Sequence, residues 1–167
     1  LGCRQEESVA EDRVIKREAR RAKAGADGIG LSETKGYAKP AQMKRMLARL
    51  RGEIGVEKMA GAHLHNTRGQ GLANVVAALE VNVTIFDSSL GGLGGCPYAP
   101  GATGNIVTED LVFMLEAMGL RTGVDVDALI AAREVLLHGL PDEAIYGNVP
   151  EAGLPKGFTY AGEKVTP

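Results

Sequence analysis

Apolar residues follow two alternating rhythms along this chain. Over residues 7–24 they stand at Val9, Val14, Ile15 and Ala19 with Arg and Lys between them. Gly25 follows, so the spacing predicts an amphipathic helix with a wet basic face. Residues 27–34 form a short run that turns polar at its end, predicting a strand whose C-terminal end carries Glu33. Lys39-Pro40 breaks the chain. Met43, Met46, Leu47 and Leu50 then fall three and four apart within residues 41–53, predicting a second helix that Gly55 stops. Residues 58–66 predict a second strand, residues 69–80 a third helix through Leu72, Val75, Val76 and Leu79, and residues 81–88 a third strand. Strand, helix, strand, helix, strand is the order of parallel α/β units.

The rhythm then stops. Residues 88–107 carry no charge and hold Gly91, Gly92, Gly94, Gly95, Gly101 and Gly104, the makings of a loop that allows close approach. Thr108-Glu109-Asp110 predicts a fourth helix with Thr108 as N-cap and two acids in the first turn, where the helix dipole favours them; Gly119 ends it. A fifth helix is predicted over about residues 125–138, stopped by Gly139 and Pro141, with a Gly/Pro-rich tail beyond.

Composition narrows the picture. At 167 residues and 44% hydrophobic content the chain is one average domain able to bury a core, which excludes a disordered chain. Nineteen basic against 21 acidic residues leave a net charge of -2, so no global field draws it to nucleic acid. The basic cluster from Arg13 to Lys23 is broken by Glu18 and preceded by Glu11 and Asp12, and reads as a solvated helix face. Only two cysteines, Cys3 and Cys96, fit a reducing compartment. There is neither an apolar run of membrane-spanning length nor a charged-then-apolar leader, so the expectation is a soluble, intracellular protein without a membrane partner.

Candidate chemistry gathers at a few residues. In His63-Leu64-His65-Asn66 the two histidines stand two apart on a strand, so both imidazoles face one side and Leu64 faces the helices. Two of the chain's three histidines therefore meet at the C-terminal end of a parallel strand, where α/β sites are built. A metal site is favoured over two ordinary polar residues at a strand end. Cys96 sits in an uncharged, glycine-rich loop after a strand rather than in an apolar core, which favours a chemical role over a buried filler thiol. The loop matches neither dinucleotide nor P-loop spacing. Asn105 can be a turn residue or a neutral oxygen ligand, Glu109 is ordinary as a first-turn acid, and His138 suits a helix C-terminal turn.

His63-Leu64-His65-Asn66-Thr67-Arg68-Gly69-Gln70, with Phe86-Asp87-Ser88-Ser89, Gly94-Gly95-Cys96-Pro97-Tyr98-Ala99 and Gly101-Ala102-Thr103-Gly104-Asn105, strongly resembles the 3-hydroxy-3-methylglutaryl-CoA lyases. The resemblance runs to about Phe158. It implies a metal-dependent TIM (β/α)8 barrel that cleaves 3-hydroxy-3-methylglutaryl-CoA to acetoacetate and acetyl-CoA, in leucine breakdown and ketone-body formation. By motif, His63, His65 and Asn105 match the family's metal ligands and Cys96 its catalytic loop cysteine. Glu109 matches the acid after the asparagine in Asn-x-x-Thr-Glu-Asp, close behind the ligands. A divalent cation, Mg2+ or Mn2+, held by imidazole and oxygen could chelate the substrate's hydroxyl and carbonyl oxygens, with the thiol moving protons at the acetyl-CoA carbon.

Two departures stand out: Glu33 replaces the family's aspartate in Leu-x-Asp-Thr, and Asn66 replaces a frequent aspartate. The resemblance further implies that residues 1–158 are the C-terminal half of the barrel, beginning near the end of its fifth strand, with 159–167 a tail. A barrel needs about 200 residues or more, and the family's first-strand Arg-Asp-Gly has no counterpart here. The chain alone is thus expected to be weakly active or inactive, with exposed sheet edges that favour homo-oligomers. The expected compartment is the bacterial cytoplasm, or the mitochondrial matrix for a eukaryotic source. The alternatives are a related Claisen-type synthase, which lacks the Gly-Gly-Cys-Pro-Tyr loop; an amidohydrolase, whose His-x-His lies on the first strand; and a non-catalytic, metal-binding half-barrel.

Overall fold

A computed structural model describes residues 9–95 and 104–163. The chain divides into two compact units, one comprising the chain up to Asp87 with Gly94–Asn105, the other Ser88–Leu93 with the chain from Ile106 onward.

The first unit alternates α1 (Glu11–Lys23), β1 (Ile29–Glu33), α2 (Pro40–Ile54), β2 (Met59–Leu64), α3 (Gly71–Leu79) and β3 (Phe86–Asp87). Helix α1 starts with Glu11 and Asp12 and ends with Arg20, Arg21 and Lys23, each sign at the favourable dipole end. Pro40 opens α2 at its first turn, where a missing N–H costs nothing. The stripe Met43, Met46, Leu47 and Leu50 is fully buried, in a core shared with Leu31, Ala62, Leu64, Val75 and Ala78.

The sheet runs β1-β2-β3, all parallel. Its register places Ser32 opposite His63 and Glu33 opposite Leu64, and then His63 opposite Asp87. Gly61 lies at φ 114°, and a Cβ there would come within 2.3 Å of the Ile85 carbonyl oxygen, so only glycine allows β2 and β3 this spacing. One sheet face packs on the helices. The other, which carries Gly30, Ser32, His63 and Asp87, borders a concavity of about 310 Å³.

The third strand is shorter than the predicted residues 81–88. Val81 and Val83 N–H both donate to the Ala78 carbonyl, and Asn82 takes φ 59°, so this stretch closes the end of α3 instead of pairing with β2. Local helix-end hydrogen bonding outcompetes the apolar pattern there.

The second unit holds a 3-10 turn (Leu90–Gly92), α4 (Thr108–Ala117), α5 (Val126–Gly139) and α6 (Val149–Ala152). Thr108 is not the N-cap of α4: Val107 occupies that position without a side-chain cap, and Thr108 Oγ1 is hydrogen-bonded to Ser88 Oγ at 2.8 Å. Asp125 caps α5, accepting from Ala128 N–H at 3.0 Å. Within the Gly/Pro-rich stretch α6 forms because Asp110, 7% exposed, accepts from Asn148 N–H at 2.9 Å and Val149 N–H at 2.8 Å. Packing continues past Phe158, which stacks on Phe113 at 5.2 Å and meets Tyr160 edge-on at 5.3 Å. Among the described residues no helix is long and apolar enough to cross a membrane.

Candidate active site at the strand ends

Strand alternation puts His63 on the open sheet face and Leu64 in the core, fully buried. The next residue, His65, leaves the strand but keeps the parity, pairing its backbone with Asn105 in an isolated antiparallel bridge and donating its N–H to the Glu33 carbonyl at 3.0 Å. The two imidazoles therefore stand together, ring centres 5.0 Å apart and planes inclined by 66°. Their Nε2 atoms approach to 3.1 Å. His63 is held from its other side: Nδ1 lies 2.6 Å from Asp87 Oδ2. Burial holds the His65 imidazolium form down, the neighbouring His63 adds to this, and the charges of Glu33 and Asp87 partly oppose it.

Asn105 reaches the same place through the backbone. Its bridge to His65 is joined by the Asn66 N–H donating to Gly104 at 3.0 Å. Asn105 Nδ2 lies 2.5 Å from where a Cβ on Gly94 (φ 103°) would stand, so glycine at position 94 leaves room for the amide.

Glu33 is fully buried at the end of β1. Its Oε1 accepts from the Lys35 and Tyr37 N–H groups, each at 3.1 Å, and so folds the loop that follows the strand. Its Oε2 and His65 Nδ1 are buried and have no hydrogen-bond partner among the described residues. Nearby, the Arg68 guanidinium stands 4.5 Å from the centre of the Tyr37 ring, and its Nη1 donates to the Lys35 carbonyl at 2.9 Å. These residues form a cationic, aromatic rim.

Glu109 belongs to the second unit, where it is fully buried, accepts from Gly91 N–H and pairs with Arg133 at 3.0 Å. His138 is exposed, its Nδ1 2.7 Å from the Glu134 carbonyl. Cys96 lies outside the described residues. Asp87, which completes the histidine pair, stands in the sequence only as the end of a strand run, with nothing next to it that marks a role. The signal was available: aligning the ends of the second and third predicted strands puts it beside His63.

Among the described residues, no group of three or more His, Cys, Asp and Glu side chains is placed to hold a metal ion. The two imidazoles and an amide oxygen remain as the donor set. Two nitrogens each about 2.1 Å from one ion and at right angles lie about 3 Å apart; the Nε2 pair, at 3.1 Å, fits that spacing. With Nδ1 of His63 occupied by Asp87 and Nδ1 of His65 buried without a partner, Nε2 is the nitrogen each ring offers. Imidazole with neutral oxygen suits several divalent first-row ions.

Parallel strands in sequential order, each joined by a helix on one face, with polar groups at their C-terminal ends, define part of a (β/α)8 barrel. The HMGL-like family matches residues 1–136, and the chain belongs to that family. It is 44% identical over 132 residues to the hydroxymethylglutaryl-CoA lyase of Bacillus subtilis, covering 79% of this chain and 44% of that protein. It is 43% identical over 136 residues to the cytoplasmic 3-hydroxy-3-methylglutaryl-CoA lyase of Rattus norvegicus, covering 81% of this chain and 39% of that one. An HMG-CoA lyase structure from Acinetobacter baumannii, in complex with coenzyme A and 3-methylmalate, superposes with a TM-score of 0.86 at 42% identity, over 95% of this chain and 51% of that one. The chain thus spans about half, or less, of the length of these relatives.

Proposed function

We propose that this chain carries the metal-binding and cysteine-bearing half of a carbon–carbon lyase site that cleaves 3-hydroxy-3-methylglutaryl-CoA to acetoacetate and acetyl-CoA. The observation that carries the reading is the meeting of the His63 and His65 Nε2 atoms, 3.1 Å apart, at a strand end bridged to Asn105. The relatives' names supply the substrate.

In this reading His63, His65 and the Asn105 amide oxygen hold a divalent cation, Mg2+ or Mn2+. When bound, the ion supplies Lewis acidity toward substrate oxygens. The residues of the chain do the rest. Glu33, anchored on the Lys35 and Tyr37 amides, fixes the loop that carries the rim. Arg68 and Lys35 set positive charge at the mouth of the site, where a thioester bearing phosphates enters. Cys96 gives or takes the proton at the acetyl-CoA carbon. Residues 1–158 act as the barrel's C-terminal half, and the chain alone is weakly active because a barrel closes only with its remaining strands.

The test is acetoacetate release with Mn2+ or Mg2+ from this chain, from the chain joined to the upstream half of a family member, and from the joined protein with Cys96→Ala. Turnover by the joined protein that falls about 100-fold or more in Cys96→Ala is expected, the scale of one acid–base group. A joined protein that binds Mn2+ yet never releases acetoacetate overturns the lyase reading in favour of a non-catalytic half-barrel.

A further inference from the structure

We propose that Asp87 is a positioning residue: by accepting the Nδ1 hydrogen of His63 it fixes the imidazole tautomer and leaves the Nε2 lone pair facing the cation site. The inference rests on the metal reading above.

A neutral imidazole carries hydrogen on one nitrogen and a lone pair on the other, and the hydrogen bond made by one decides what the other offers. His63 and Asp87 are directly opposed in the β2–β3 register, so both side chains rise from the open sheet face. The Nδ1–Oδ2 separation is 2.6 Å, and an ionised carboxylate only accepts, so Nδ1 is the donor. The lone pair is then on Nε2, the atom 3.1 Å from Nε2 of His65. Carboxylate–imidazole–metal relays of this kind fix ring orientation and raise ligand basicity.

The alternative roles fit the geometry less well. Asp87's side chain is 64% exposed, so the fold does not depend on its burial. The carboxylate is engaged with Nδ1, not with the point where the two Nε2 atoms meet, which argues against direct ligation.

Two measurements on the full chain test this. The first is side-chain 15N NMR of the metal-free protein: His63 is expected as the Nδ1–H tautomer in the wild type and as a tautomer mixture in Asp87→Ala. The second is calorimetric titration with Mn2+: Asp87→Ala is expected to weaken binding about 10–100-fold, and Asp87→Glu to recover most of it. The unfolding midpoint of the metal-free variant should stay within about 2 °C of the wild type, as for a surface substitution. An unchanged tautomer in Asp87→Ala overturns the proposal, as does unchanged Mn2+ affinity. Wild-type chain that takes up no Mn2+ removes the metal reading and this inference together. Wild type and Asp87→Ala binding equally well removes this inference alone.

Discussion

Buried polar side chains are satisfied to different degrees in the two units. In the second, Glu109, Asp110 and Glu116 are almost wholly buried, and each carboxylate is spent: Glu109 on Gly91 N–H and Arg133, Asp110 on the start of α6, and Glu116 on Thr122 and Ala161 N–H groups. In the first, Glu33 Oε2, His65 Nδ1 and Thr67 Oγ1 are buried and have no partner among the described residues. An unmet buried polar atom costs about 1–3 kcal/mol. The second unit uses its buried charge to hold loops in place. The first pairs its buried Glu18 with Arg21 and leaves Arg51 Nε and Asn74 Oδ1 unmet within α2 and α3, but it also gathers unmet polar groups around the end of β2, the pattern of a site that awaits a ligand.

If that contrast holds, the largest stability effect belongs to Glu109. Glu109→Ala leaves the Arg133 guanidinium, 11% exposed, without a counter-charge and with only the Tyr146 carbonyl to donate to, and frees the Gly91 amide. Breaking a buried pair from one side costs about 3–5 kcal/mol, which lowers the melting midpoint by roughly 6–20 °C in a chain of this size. Calorimetric melting checks it, and a shift under about 2 °C would put Glu109 outside the structural class.

His65→Ala should separate the two classes from the other side. Mn2+ affinity is expected to fall by more than the roughly 10–100-fold that losing an outer partner costs, while the melting midpoint drops less than half as far as in Glu109→Ala. Calorimetric Mn2+ titration and melting of the same sample read both. A variant that melts as early as Glu109→Ala would mean that His65 holds the fold.

Glu33→Gln is a finer test. Its Oε1 keeps both amide donors, from Lys35 and Tyr37, while the partnerless charged oxygen becomes part of a neutral amide. Removing an unpaired buried charge offsets the loss of charge-assisted bonding, so stability at neutral pH should stay within about 1 kcal/mol of wild type. Urea unfolding measures it. A loss well beyond that would mean the carboxylate is already paired.

What the sequence made legible was what depends on near neighbours. The Met43–Leu50 stripe announced α2, and the two-residue spacing of His63 and His65 announced a shared face, because helix and strand periodicities act within a few positions. What escaped depends on distant partners or on competing local geometry. Asp110 looked like a dipole acid, yet its partners Asn148 and Val149 lie 38 and 39 residues on. Asp87 became meaningful only once register set it against His63, 24 residues back. Residues 81–83 read as strand, but the end of α3 claimed their amides.

The smallest effect is one of pH and concerns Glu116. Burial pushes its carboxyl pKa up, but the Thr122 hydroxyl and N–H and the Ala161 N–H more than reverse that, leaving it below the ordinary value. A carboxylate with a depressed folded-state pKa contributes stability that is fully present above its unfolded value, near 4.5, and is lost as pH falls through the folded value. Wild type should therefore be more stable than Glu116→Gln at pH 7, and the gap should be constant down to about pH 5 and close below pH 4.5. Urea midpoints of the two proteins between pH 7 and pH 3.5 measure it. A gap that does not change with pH would mean that the Glu116 carboxyl titrates alike in the folded and unfolded chain, so that the shape of its two acceptor oxygens, and not their charge, keeps the C-terminal turn against α4.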